Sequence, residues 1–256
     1  MKSRPCALTI AGFDPSSGAG VTADIKTFEA LKVYGLAVCT ANTIQTDINF
    51  KACYWVNIEI IKTQIEILFN RFKIDVVKIG IVQNWEVLHK IIDILLQKNP
   101  KVKIVLDPVL KASSSFEFHN LSSETQEKSE KRFEVILNKV YLLTPNYHEI
   151  KALFLSKSVE ETIKYIHNKT NVLLKGGHIK DNVGIDHFFI HNGNHFVLNP
   201  KGKNISDKHG SGCILSSAIT AYLALGFPIL KACFKAKRYT EQILRSNKTL
   251  LGYHRI

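Results

Sequence analysis

The sequence predicts an α/β sandwich around a mostly parallel central sheet. Strand-sized apolar runs alternate with stretches whose apolar residues recur at helical spacing, from one end of the chain to the other. Polar residues recur where the strand-like runs stop: Asp14, Gln45, Asp107, Asn146 with Glu149, and Lys175. A glycine-rich segment, Asp207-Lys208-His209-Gly210-Ser211-Gly212-Cys213, leads straight into an apolar helical stretch.

The elements follow in order. Residues 6–11 form an apolar run ending at Gly12, and 13–20 are dense in turn formers. Val21, Ile25, Phe28 and Leu31 then give a helical stripe. This loop lacks the Gly-Lys-Ser/Thr of a Walker A motif and the GxGxxG spacing. A second run, 36–44, stops at Gln45, and 50–56 alternates as a short edge strand does. Helix 58–72, strand 76–79 ending at Gly80, helix 87–96 and strand 102–106 come next, with Asn99-Pro100 stopping the second helix and Asp107-Pro108 closing the last strand. Residues 110–130 are polar and read as a mobile loop leading into a helix through Leu137. Strand 140–143 ends in Thr144-Pro145-Asn146, followed by helices from Tyr147 and over 159–166. Strand 172–174 ends in Lys175-Gly176-Gly177-His178, and 186–190 and 195–198 flank an Asn192-Gly193 hairpin turn. Two helices, 213–225 and 228–247, complete a single expected domain over residues 1–256.

Composition narrows the class. With 256 residues, 45% of them hydrophobic, the chain is long enough for a large core. No apolar stretch reaches the ~18–20 residues of a membrane span, and the first apolar run is broken by Gly12 and Asp14, so neither a membrane anchor nor a signal peptide is expected. Five cysteines without a CxxC pair argue against a disulfide framework or zinc and for a reducing cytoplasm. The net charge of +12 comes from scattered lysines not clustered with aromatics, which argues against a nucleic-acid surface. Anionic ligands or a lysine-rich background are the remaining explanations. A metal site on the hairpin histidines, His187, His191 and His195, has no supporting carboxylate or cysteine pattern.

In an open parallel sheet, strand ends of one polarity share one edge. Each polar residue there has a plain alternative: Asp107 as a turn residue, Asn146 and Glu149 as a capping box, Lys175 as a solvated cation. Together, beside a helix start whose amides have no intrahelical partner, they read as a phosphoryl-transfer site. Cys213 lies at the positive end of that helix, where a lowered thiol pKa is expected. His209 reads either as a phosphate-positioning group or as part of the turn.

The motifs also carry a resemblance. Residues 7–20, Ala-Leu-Thr-Ile-Ala-Gly-Phe-Asp-Pro-Ser-Ser-Gly-Ala-Gly, with Ala23-Asp24-Ile25-Lys26-Thr27-Phe28, resemble the opening of the hydroxymethylpyrimidine and phosphomethylpyrimidine kinases of thiamine biosynthesis. Lys78-Ile79-Gly80, Leu106-Asp107-Pro108-Val109, Thr144-Pro145-Asn146-Tyr147-His148-Glu149, Lys175-Gly176-Gly177-His178 and His209-Gly210-Ser211-Gly212-Cys213 follow in that family's order. The resemblance implies a ribokinase-like three-layer α/β/α sandwich, ATP with Mg²⁺, and two successive transfers, to the hydroxymethyl group and then to the resulting phosphate. It implies Cys213 as catalytic base and Gly210, Ser211 and Gly212 as the anion hole. It places Lys175, Asn146 and His209 at ATP, and Asp107 and Glu149 at the metal. Gln45, Gly12, Ala19, Asp24 and Val109 fall at the pyrimidine. A cytoplasmic homodimer without nucleic-acid or membrane partners is the family expectation, and a pyridoxal or pyridoxine kinase is the alternative. The loop Leu110-Lys111-Ala112-Ser113-Ser114-Ser115 lacks the glycine usual in the family, and Ile81 stands where a pocket methionine is common.

Overall fold

A computed structural model describes residues 4–110, 126–177, 183–203 and 205–254. Among these residues nine strands form one sheet, in the order β3-β2-β1-β4-β5-β6-β7-β8-β9. They are β1 (Cys6–Phe13), β2 (Tyr34–Gln45), β3 (Phe50–Trp55), β4 (Ile74–Ile79), β5 (Lys103–Leu106), β6 (Leu142–Leu143), β7 (Asn171–Leu174), β8 (Asp186–Phe189) and β9 (His195–Leu198). The six central strands β2, β1, β4, β5, β6 and β7 pair in parallel. β3 at one edge and the β8–β9 hairpin at the other are antiparallel. The helices are α1 (Gly20–Ala30), α2 (Ile58–Arg71), α3 (Trp85–Lys98), α4 (Gln126–Leu137), α5 (Tyr147–Leu153), α6 (Val159–His167), α7 (Ser211–Ala224) and α8 (Ile229–Leu244).

Alternation along the strands builds two cores. Leu8, Ile10, Val77, Ile79, Ile104, Leu106, Leu143, Val172 and Leu174 face α2 through α6, packing on Ile61, Ile65, Leu88, Ile92, Phe133, Ile150 and Ile166. Their neighbours Ala7, Val76, Val105, Leu142 and Leu173 face the other way, onto Phe28 of α1, Ile214, Ala218 and Ile219 of α7, and Ala232 and Ala236 of α8. Strands buried on both faces explain why the sequence shows continuous apolar runs.

The expected elements form, with shifted limits. β2 runs back to Tyr34, because it must lie beside β1 over its whole length, with Cys6 opposite Tyr34. β6 keeps only two of the four expected strand residues, Leu142 and Leu143. α7 begins two residues before Cys213, since Gly210 takes a left-handed φ of 74° and serves as its N-cap. The hairpin turn also forms, with Asn192 left-handed at φ 50°. His187 and His195 face each other across it, Nδ1 to Nε2 2.9 Å, and both stack near Phe189. Residues 111–125, including most of the serine-rich segment expected to be a mobile loop, lie outside the described residues, as does His178.

The inner face of α3 is a direct check on this packing. Leu88 is fully buried, whereas Ile67 on α2 is 62% exposed. Leu88→Ala should cost about 2–5 kcal/mol in denaturant unfolding. Ile67→Ala should change stability by less than about 0.5 kcal/mol. Comparable losses would contradict the assigned faces.

Candidate active site

Because the central strands are parallel, their carboxyl ends share one edge. There the chain delivers Gly12 and Asp14 from β1, Gln45 from β2, Gly80 from β4, Asp107 from β5, Asn146 after β6 and Lys175 after β7. α7 starts against the same edge. A Cβ placed on Gly212 would lie 3.4 Å from Lys175 Nζ and 3.8 Å from Asp107 Oδ2.

Asp107 is buried and accepts from three elements. Lys175 Nζ donates to Oδ1 at 2.8 Å, Thr144 Oγ1 donates to Oδ1 at 3.2 Å, and Ser216 Oγ donates to Oδ2 at 3.1 Å. Burial raises its carboxyl, but the Lys175 and Lys78 ammonium groups outweigh that and hold it below the ordinary carboxylate value. Lys175 Nζ also stands 3.5 Å from Glu149 Oε2. Burial works against the charged ammonium, yet these two carboxylates push its pKa up. Glu149, mostly buried, is itself pushed up by desolvation despite Lys175.

Asn146 and Glu149 do form the capping box: Asn146 Oδ1 accepts from Glu149 N at 2.8 Å, and Glu149 Oε2 accepts from Asn146 N at 2.6 Å. A parallel bridge between Asn146 and Lys175 sets that box beside the cation. The plain reading holds, and the cap keeps Glu149 where it meets Lys175.

The start of α7 has no side-chain cap and no acidic residue in its first turn. Its leading amides and dipole are thus available to an anion. Gly210 is obligatory here, because its φ is left-handed and a Cβ would overlap the Gly18 carbonyl and Ala19 Cα. Ser211, Gly212 and Cys213 are half-buried. The expected lowering of that thiol does not occur: burial pushes it up, and the opposing Lys78 charge does not compensate.

Two other expectations are corrected. Asp24 does not open toward a ligand. It is fully buried in α1, with Lys78 Nζ at 2.7 and 2.6 Å from its two oxygens and Thr9 Oγ1 donating at 2.5 Å. His209 does not turn toward the nucleotide edge. Its Nε2 lies 2.9 Å from Asp14 Oδ2, its ring lies where a Gly18 side chain would be, and Nδ1 is buried without a partner among the described residues. Asp14, at the end of β1, also accepts from Ser16 N, Gly18 N and Ala19 N at 2.8, 3.1 and 2.8 Å, so it organises its own loop. Gln45 and Val109 are half-buried at the edge, and the Gln45 amide has no hydrogen-bond partner among the described residues. Gly12 lies directly under the Ile81 side chain.

Sequence reasoning assigned no role to Lys78, Thr144 or Ser216. A lysine inside the apolar run of β4 was the available signal for the first. For Ser216 it was the helical spacing of four from Gly212, which puts both on one face.

The family profile described as Phosphomethylpyrimidine kinase matches residues 14–255. A hydroxymethylpyrimidine/phosphomethylpyrimidine kinase of Aquifex aeolicus is 36% identical, over 96% of this chain and 97% of its own length. The phosphomethylpyrimidine kinase structure from Clostridium difficile is 33% identical, with a TM-score of 0.75, covering 93% of this chain and 98% of that one. The pyridoxal kinase of Bacillus subtilis, solved as an ADP complex, is 25% identical with a TM-score of 0.80, over 97% and 94% of the two chains. The chain shares its three-layer ribokinase-like sandwich with the two solved structures.

Asp14 supplies a pH test of the loop junction. Burial alone would raise its carboxyl, but the His209, Ser16 and Ala19 donors prevail and hold it below the ordinary value of about 3.9. Its stabilisation is therefore present above that value and is lost as the pH falls through the folded-state value. The Tm gap between wild type and Asp14→Asn should be widest near neutrality and narrow below about pH 4. Parallel Tm–pH curves would show that the carboxylate does not hold the loop.

Proposed function

The chain belongs to the phosphomethylpyrimidine kinase family, and from that premise we propose that it phosphorylates 4-amino-5-hydroxymethyl-2-methylpyrimidine with ATP and then extends the monophosphate to the diphosphate. What supports this most is the uncapped start of α7 lying against Lys175 and Asp107. An anion bound at those amides meets a cation and, past it, two buried carboxylates.

In the first transfer the hydroxymethyl oxygen attacks the γ-phosphorus, the bond to the β-bridging oxygen breaks, and the alcohol proton passes to the Cys213 thiolate, which becomes the thiol. The amides of Gly210, Ser211 and Gly212 take the charge that develops on the phosphoryl oxygens. Lys175 neutralises phosphate, and Asn146 sits on its nucleotide side. His209 acts from beneath, by keeping the Gly210 loop against the Asp14 loop. Gln45 reads the aminopyrimidine edge, since an amide donates to a ring nitrogen while accepting from the amino group. Gly12, Ala19 and Val109 line the ring.

Among the described residues no three His, Cys, Asp or Glu side chains gather as a metal cage. A magnesium ion that arrives with a nucleotide needs only one or two protein carboxylates. Asp107 and Glu149 fit that requirement, because they already converge on one cation. They would hold Mg²⁺, which would supply charge neutralisation on the phosphates. A cytoplasmic homodimer of one kinase domain, acting on small molecules and without nucleic-acid or membrane partners, belongs to the same proposal. No helix among the described residues is long and apolar enough to cross a membrane.

The direct assay is ATP consumption with the pyrimidine alcohol, its monophosphate and pyridoxal supplied separately. Turnover with the first two and little with the third is expected. The reverse preference would make the chain a pyridoxal kinase. Gln45→Leu should raise KM for the pyrimidine far more than for ATP, because a ligand polar group left unpaired costs about 1–3 kcal/mol. Equal rises would move Gln45 out of the pyrimidine pocket. Cys213→Ala should lower kcat/KM for the alcohol by about 10²–10⁴-fold, the usual contribution of a general base. The monophosphate should suffer much less, because its second pKa of ~6 leaves it ionised already. Equal proportional losses would remove Cys213 from the role of base.

A further inference from the structure

Lys78 has no part in the reading above, yet it is the largest charged side chain that the fold buries completely. Val76 two residues earlier faces α1, α7 and α8, so Lys78 emerges on that same face. Thr9 lies opposite it on β1 and Val105 on β5. A Cβ on Gly80 would stand 3.5 Å from Nζ, so the strand end beside the ammonium is left clear of a side chain. Asp24 comes down from α1 to take both hydrogen bonds. Gly210, the N-cap of α7, packs directly on the Gly18 carbonyl and on Ala19, which immediately precede the same helix. Ammonium, carboxylate and thiol therefore share the space beneath the starts of α1 and α7.

Stability does not explain this pair. Replacing a buried ion pair by apolar residues of similar size is often neutral or stabilising, whereas an electrostatic task requires the charge. The charged groups facing Cys213 are Lys78 from β4, Asp24 from α1, Asp107 at the end of β5 and Lys175 after β7. Burial pushes the thiol up; Lys78 opposes that most, and Asp24 and Asp107 add to it.

We propose that Lys78 is a positioning residue for the first phosphoryl transfer, its ammonium held by Asp24 and Thr9 beneath the start of α7 so that the Cys213 thiolate is stabilised as it takes the alcohol proton. The proposal rests on the reading of Cys213 as base. The proton leaves the hydroxymethyl oxygen for sulfur while that oxygen bonds to phosphorus; Lys78 stays protonated throughout.

The test reads the thiol itself, without turnover. Iodoacetamide alkylation of Cys213 is followed against pH in the intact, ligand-free protein, resolved by peptide mass spectrometry from Cys6, Cys39, Cys53 and Cys233. Lys78→Met should move the midpoint up by about 1–3 pH units, the effect of one nearby charge. Asp24→Asn keeps the ammonium and removes the carboxylate, so it should move the midpoint down. A packing role would move both variants alike, and that result, or an unmoved midpoint in Lys78→Met, overturns the proposal. If Lys78→Met does not fold, Asp24→Asn decides alone: a fall supports the proposal, and no change or a rise overturns it. Lys78→Met should also lose more kcat/KM with the alcohol than with the monophosphate. Should Cys213→Ala retain the first transfer while the alkylation shifts appear as expected, the reading of Cys213 as base fails and the electrostatic coupling stands.

Discussion

The Asp107 carboxylate is the junction on which the site depends. It lies just past β5 and is answered by Thr144 past β6, by Lys175 past β7 and by Ser216 from the second turn of α7. A buried carboxylate without such donors would be expelled or neutralised, so these elements are held to one another by the need to satisfy it. The consequence is geometric. α7 cannot retreat from the sheet edge without taking away the Ser216 donor of Asp107 Oδ2, and so its free amides stay directed at the place where Lys175 and Glu149 converge.

Two charged clusters occupy neighbouring positions on different terms. The Asp107–Lys175–Glu149 group lies at the mouth, where Lys175 retains some exposure and exchange of partners with an incoming phosphate is feasible. The Lys78–Asp24 pair has no exposure at all and cannot exchange partners with anything that enters. The first group can change partners and the second holds its charges in a fixed arrangement. The glycines separate the two. Gly20 and Gly210 allow backbone to pass where any side chain would collide, and Gly12 makes room for the Ile81 side chain, so the two loops and the two helix starts close up on one another.

Much of this was legible beforehand, for physical reasons. Parallel strands have one polarity, so the polar residues ending each apolar run had to share an edge, and Gln45, Asp107, Asn146 and Lys175 do. The capping box of Asn146 and Glu149 is a local pattern and needs no tertiary knowledge. What sequence pattern could not supply was direction and burial. Whether Asp24 faces a ligand or a lysine depends on a strand partner 54 residues away. Whether His209 faces a nucleotide or Asp14 depends on a loop at the other end of the chain. The Cys213 thiol illustrates the same limit: a helix dipole is readable from sequence, but the desolvation that overrides it is a property of packing. β6 lacks its first two expected residues, because the turn that ends α4 still runs through Lys139 and regular pairing with β5 begins only at Leu142.

The hydrogen bond between His209 and Asp14 spans 195 positions of the chain. During synthesis from the amino end, β1, α1 and β4 are complete long before α7 exists. Until then Asp14 lacks its imidazole partner, Asp107 lacks Ser216, and the sheet face carrying Thr9 and Lys78 has no α7 to cover it. Contacts of such separation form late and slowly, and uncovered apolar sheet surface invites misassociation in the meantime. A nascent chain of this protein therefore has no partial competence to offer. The edge that carries Asp107 and Lys175 stays incomplete until α7 has been made and docks on it.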